Sequence, residues 1–148
     1  MCLIKLISTG KMKAETDLKV YKCLDYNRSY DMYSTPFQFM RVEFDKNGKF
    51  AFEMDADLLN DFPGVCGKVV CKMVEKGMHA YRAKAAADII SAKFHKDDGT
   101  KTHYAVIPKG SYYYIGNKCD IVSNRMIIFK RKKDFDAYAK ENKVKTVE

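Results

Sequence analysis

Residues 102–131 read THYAVIPKGSYYYIGNKCDIVSNRMIIFKR, and this run decides the fold class. Three segments rich in aromatic and β-branched residues stand between short polar breaks: THYAVIP (102–108), SYYYIG (111–116) and DIVSNRMIIFKR (120–131). Such side chains favour strands because they fit a pleated, half-covered surface. Lys109-Gly110 and Gly116-Asn117 supply the turns. The run therefore predicts three consecutive strands. Successive side chains of a strand point to opposite faces, so Tyr112 and Tyr114 share a side and Tyr113 opposes them. Two rings about 7 Å apart on one face either staple a sheet together or offer a stacking platform to a base, a nicotinamide or a protein side chain.

The same grammar extends upstream. CLIKLIS (2–8) and LKVYKCL (18–24) alternate as strands do, and so does FQFMRVEF (37–44). DKNGK then reads as a hairpin turn, with KFAFEM (49–54) as the return strand, because Asn-Gly reaches the torsions of a tight turn. DADLLNDF (55–62) predicts one or two helical turns stopped by Pro63-Gly64. GKVVCKMVEKGMHAYR (67–82) predicts a strand, a turn at Glu75-Lys76-Gly77 and a short strand from Met78 to Tyr81. Two helices complete the set. AKAAADIISAKFH (83–95) is alanine-rich and carries Ala86, Ile89, Ile90 and Phe94 on one broad face. KDFDAYAKEN (133–142) places Phe135, Tyr138 and Ala139 on one side. The sum is a single α+β domain with a twisted, mainly antiparallel sheet and two helices.

Composition agrees with one globular domain. The chain has 148 residues, 47% of them hydrophobic and 31% charged, enough to bury a core without staples. No run approaches the ~20 apolar residues of a membrane helix, so no membrane partner is expected. MCLIKLIST carries Lys5 within a short apolar run and reads as a strand rather than a signal peptide. Five cysteines at irregular spacing suit reduced thiols in a cytoplasm better than a secreted disulfide framework.

Several chemistries lack their residues. The three histidines have no CxxC or HExxH neighbour, so no metal is expected. Phosphate-loop motifs are missing. The carboxylate pairs Asp55/Asp57, Asp97/Asp98 and Asp134/Asp136 fall at turns and helix starts, where capping explains them. An N-terminal Cys2 nucleophile would need a base that sequence does not identify.

What remains is charge and aromatic surface. The net charge is +8, and it collects locally as Lys130, Arg131, Lys132 and Lys133. That tract reads either as a solvated helix face or as a contact for single-stranded nucleic acid. In EKGMHAYRAKAAAD (75–88) a strand carrying His79 and Tyr81 runs into a helix at Arg82 and Lys84. Free backbone N–H groups at such a junction attract anions.

GMHAYRAKAAAD (77–88) and VIPKGSYYYIGNKCDIVSNRMIIF (106–129), preceded by DLKVYKCL (17–24), resemble a group of small uncharacterised proteins encoded by bacteriophages and gut bacteria. The resemblance implies a place in the bacterial cytoplasm or with a virion. The same strands are also similar to the ADP-ribosyltransferase-like fold, with Tyr21 or Lys22 on its first strand and His79 to Tyr81 on its second. That likeness implies an NAD-handling enzyme, and NAD would be its cofactor. Where such transferases carry a glutamate ahead of a late apolar strand, this chain has Ser123-Asn124-Arg125.

The leading expectation is therefore a non-catalytic binding or accessory protein without a cofactor. Its partner is a protein or a nucleotide-like ligand, held by Tyr21, His79, Tyr81, Arg82, Lys109, Tyr112 and Tyr114 in one open hollow. An NAD-handling enzyme and a single-stranded nucleic-acid binder are the alternatives.

Overall fold

The computed structural model describes residues 4–6, 10–36, 40–66, 69–93, 99–116 and 119–147. The first half contributes β1 (Ile4–Leu6), β2 (Met12–Lys13), β3 (Asp17–Asn27), β4 (Met32–Ser34), β5 (Arg41–Val42) and β6 (Lys49–Glu53). After a 3-10 turn at Ala56–Leu58 come β7 (Asp61–Cys66), β8 (Val69–Val74), β9 (Met78–Tyr81) and helix α1 (Lys84–Lys93). The last third holds β10 (Thr100–Ile107), β11 (Tyr112–Ile115), β12 (Asp120–Ser123), β13 (Arg125–Phe129), α2 (Lys132–Glu141) and β14 (Val144–Thr146). The fold is α+β, with both helices where the sequence predicts them.

One large sheet runs in the order β2-β11-β12-β9-β3-β10-β13-β6, and β1-β8-β7 form a small second sheet. Among the described residues all ladders are antiparallel except the one between β14 and β3. The eleven-residue β3 is the spine, paired with β10 over eight positions from Leu18↔Ile107 to Asp25↔Thr100. Its alternate residues Leu18, Val20 and Leu24 join Ala105, Ile107, Met126 and Ile128 in the main core. Phe50 and Phe52 of β6, at one end of the strand order, and Tyr113 of β11, near the other, pack against that same cluster. The sheet is therefore curled around its inner face. Lys22 and His103 interrupt this apolar row, and each bonds a backbone carbonyl. The Lys22 ammonium donates to the His79 carbonyl at 2.6 Å, and His103 Nδ1 bonds the Phe129 carbonyl at 3.0 Å.

The outer face is covered in two places. Helices α1 and α2 lie over Tyr21, Cys23, Tyr104, Val106 and Phe129. Leu59 and Val74 close over Tyr114 and Val122.

The structure departs from sequence expectation at five points. Residues 120–131 are two strands rather than one. Asn124 separates β12, which pairs with β11 and β9, from β13, which pairs with β10 and β6. The Asn124 side chain accepts from the Tyr112 N–H at 2.8 Å and donates to the Met54 carbonyl at 3.2 Å, tying three strands at the switch. The turn at Asp45–Gly48 forms as expected, but no hairpin follows it. Strand β5 pairs with β4, while β6 pairs with β13. Residues 37–39 of the expected first strand lie outside the described residues. Gly48 is required there: its φ is +71°, and an added Cβ would collide with the Asp134 carboxylate.

Pro63-Gly64 does not stop an element but sits inside β7, an edge strand, where a missing N–H costs no ladder bond. Helix α1 buries Ala87 and Ser91, with Ile90 partly covered, whereas Ile89 is 66% exposed. Small residues let the helix sit close on the tyrosines, and Cys23 Sγ and Ser91 Oγ bond at the contact. Phe94 lies outside the described residues. Finally, part of the charged tail is strand β14, pairing Val144↔Asp17 to Thr146↔Lys19.

Candidate functional site

The structure distributes the seven predicted ligand residues over separate places. Tyr112 and Tyr114 share one face, as the strand period requires, and Tyr113 turns to the main core. The register Tyr114↔Val122↔His79 puts the histidine in the same row. The two chain segments thus meet, but under cover. Tyr114 and His79 are each 4% exposed. Burial and the nearby Asp61 carboxylate raise the Tyr114 phenol above its ordinary range. Burial pushes the His79 imidazole down to about 4, although its Nε2 bonds the Glu75 carbonyl at 2.9 Å. Tyr112 is half-buried, with the Lys13 ammonium 5.9 Å from its ring centroid. The expected open hollow is a packed seam. The reason is that the 3-10 turn and small sheet supply Leu59 and Val74 as a lid, which no local pattern announces.

Tyr21 and Tyr81 are Cα partners between β3 and β9 and belong to the cluster beneath α1. The Tyr21 ring packs on Tyr104 at 5.3 Å. Arg82 is half-buried. Its N–H donates to the Cys119 carbonyl at 2.7 Å, and its Nε has no partner among the described residues. Lys109 is on an exposed turn far along the chain from these, with its N–H bonded to Asp17 Oδ1 at 2.7 Å. A single NAD cleft built on Tyr21, His79 and Tyr81 is not what these positions form, since the first two are buried.

The basic tract fans out around the start of α2. Lys130 is exposed and borders a groove with Tyr33 and Phe44. Arg131 Nε bonds Asp134 Oδ2 at 3.1 Å in a capping box. Lys132 pairs with Asp136 at 2.9 Å, and Lys133 is exposed. Cations at a helix N-terminus oppose the helix dipole, and the two aspartates offset that cost.

Two open grooves flank α2. One, of about 710 Å³, is lined by Lys109, Lys143 and Lys145 together with Glu15, Asp17 and Glu141. The other, of about 390 Å³, is lined by Lys46, Lys49, Arg131 and Lys133 with Asp134 and Glu141. Tyr138 borders both. Its hydroxyl donates to Asp17 Oδ2 at 2.7 Å, and burial followed by this carboxylate raises its pKa strongly. Of the carboxylates lining the grooves, Asp17 is engaged by Tyr138 and Lys109, and Asp134 by Arg131.

Sequence reasoning missed a recurrent pairing. Lysine ammonium groups stand over tyrosine rings at Lys13–Tyr112, Lys19–Tyr21, Lys49–Tyr138 and Lys132–Tyr104, with centroid distances from 5.1 to 6.0 Å. Only Lys19–Tyr21, two apart on one strand, left a local signal; the others join distant segments. Of the two rings expected to stack, Tyr112 thus carries a cation already and Tyr114 is buried.

Among the described residues no three His, Cys, Asp or Glu side chains gather as a metal site, and no helix is long and apolar enough to cross a membrane. Cys23 is buried, donates to the Ala87 carbonyl and has its pKa raised by burial, so its thiol is unreactive. Cys2 lies outside the described residues. No protein-family model, curated protein or solved structure matches the chain.

Proposed function

We propose that this is a non-catalytic binding protein of phage or mobile-element origin, acting in the bacterial cytoplasm or with a virion. Its ligand is the phosphate backbone of a nucleic acid, bound on the cationic face around α2. One observation carries the reading: the two open grooves beside α2 are lined by six lysines and Arg131, and two of their four acids, Asp17 and Asp134, are engaged internally. Open, charged grooves suit an extended polyanion better than a small enclosed substrate. The capped tyrosines support contact by charge rather than by base stacking, because a ring under an ammonium cannot also lie flat on a base. Single strands and duplexes should therefore bind alike.

Fluorescence anisotropy with labelled single-stranded and duplex DNA over a salt series tests this. Affinity should fall linearly on a log–log plot, as counterion release requires. The Lys46→Ala/Lys133→Ala double variant should reduce the slope by about two. Binding unmoved by salt, or a slope unchanged in the double variant, refutes the proposal.

A further inference from the structure

Strand β6 ends the large sheet and pairs on one side only, with β13, in the register Arg125↔Glu53 to Phe129↔Lys49. The flanking bonds fix which of its backbone groups face outward. The Lys130 N–H donates to the Gly48 carbonyl at 2.8 Å, and the Met54 N–H to the Asn124 carbonyl at 2.8 Å. Antiparallel ladders alternate bonded and non-bonded pairs, so Gly48, Phe50, Phe52 and Met54 aim their N–H and C=O groups at β13. Lys49, Ala51 and Glu53 aim theirs away from it. Those of Lys49 are taken by the preceding turn. Its N–H donates to Asp45 Oδ1 at 3.0 Å, and its carbonyl accepts from the Asp45 N–H at 2.9 Å. Ala51 and Glu53 are both exposed, and their outward backbone groups bond nothing among the described residues.

The other described sheet ends are guarded. Strand β2 has two residues, β1 has three, and β7 carries Pro63. Short length and proline are common defences of an edge against further pairing. Strand β6 has neither: it reads KFAFE, five residues with no proline or glycine. Its charges stand at opposite ends, Lys49 at the start and Glu53 followed by Asp55 at the close. An antiparallel copy of the same strand reverses that order, so a cation meets acids at both ends. Phe50 and Phe52 belong to the inner face, which leaves small Ala51 between the charges on the outer one.

We propose that two copies of this chain pair edge to edge through β6, antiparallel about a twofold axis at Phe52. Ala51 of each copy then exchanges both backbone bonds with Glu53 of the other, which uses every free group of the edge. An axis at Ala51 would instead set Lys49 against Glu53 and break the Lys49 bonds to Asp45. In the Phe52 register Lys49 stands opposite the second copy's Asp55, with that copy's Glu53 diagonal to it and within reach of a long side chain. The two Phe52 side chains are neighbours on the inner face, and Phe50 meets Met54 across the join. An interface of one short strand belongs to the weak, reversible class. Lys49 also borders the smaller groove beside α2. The register sets the two Lys49 positions about 20 Å apart along the strands, so the pair presents two such grooves to one extended ligand. The pairing rests on the edge itself and holds whether or not that ligand is a nucleic acid.

Sedimentation equilibrium of nucleic-acid-free protein in reducing buffer tests this. The wild type should pass from monomer to dimer as concentration rises. Ala51→Pro removes an outward N–H and no bond to β13, so it should keep the far-UV spectrum and the urea midpoint while weakening the dimer by about tenfold or more. A charge exchange covers the case in which proline disturbs the strand. Glu53→Lys/Asp55→Lys and Lys49→Glu should each weaken self-association by about tenfold, and their equimolar mixture should recover the wild-type level. A wild type that stays monomeric, a dimer unaffected by a folded Ala51→Pro, or a mixture without recovery overturns the proposal. No nucleic acid is present, so this outcome is independent of the DNA titrations.

Discussion

Acidification should destabilise this protein through His79. The side chain is buried beside Val122 and Tyr114, and burial holds its pKa at about 4 against 6.5 for a free imidazole. A folded-state pKa below the unfolded one means that the unfolded chain binds the proton first. Stability is then complete above about pH 6.5 and falls as pH drops toward 4. Integrating the two titrations from pH 7.5 to 5 gives a loss of about 2 kcal/mol from this residue alone. His103 adds to it in the same direction, since burial lowers its pKa too. Urea titrations followed by circular dichroism at half-unit pH steps measure the slope. His79→Gln removes the titrating group but keeps a donor for the Glu75 carbonyl, so its curve should be flatter by about that amount. Parallel curves for the two proteins, or a wild type that gains stability on acidification, would refute the burial argument.

Two further outcomes follow from packing. Asn124→Ala leaves the Tyr112 N–H and the Met54 carbonyl without their side-chain partner in a site 5% exposed, and should cost about 2–4 kcal/mol by chemical denaturation. A loss under about 0.5 kcal/mol would mean that the strand switch does not depend on it. On α1, Ile89→Ser should change stability by no more than about 0.5 kcal/mol, whereas Ser91→Leu should cost about 1–3 kcal/mol by forcing the helix off Cys23 and Thr102. The reverse order would place the wrong face of the helix on the sheet.

These tests also mark where sequence patterns were legible. Residues 18–24 by alternation and 102–108 by aromatic and β-branched content read as strands, and β3 (Asp17–Asn27) and β10 (Thr100–Ile107) stand there, each somewhat longer than or shifted from its reading. The stripe of Phe135, Tyr138 and Ala139 likewise gave the buried side of α2, since large apolar groups on a polar helix have one place to go. Helix α1 misled because large apolar residues such as Ile89 lie outside its buried stripe, which small residues fill. Alanine and serine were chosen there for close approach, a property that shows only once Tyr21 and Cys23 are opposite them. Asn124 looked like one polar residue in a strand because its partners, Met54 and Tyr112, are 70 and 12 positions away.

The candidate site divides along the same line. Period-two alternation alone established that Tyr112 and Tyr114 share a face and Tyr113 does not, because strand geometry leaves no choice. Composition alone established an excess of positive charge. Whether a ring is bare, capped by an ammonium or sealed beneath Leu59 is a contact between residues remote in the chain, and only the folded arrangement fixes it. Local forces choose strands and helices; which of their side chains become neighbours is decided by how the sheet curls and what packs across it.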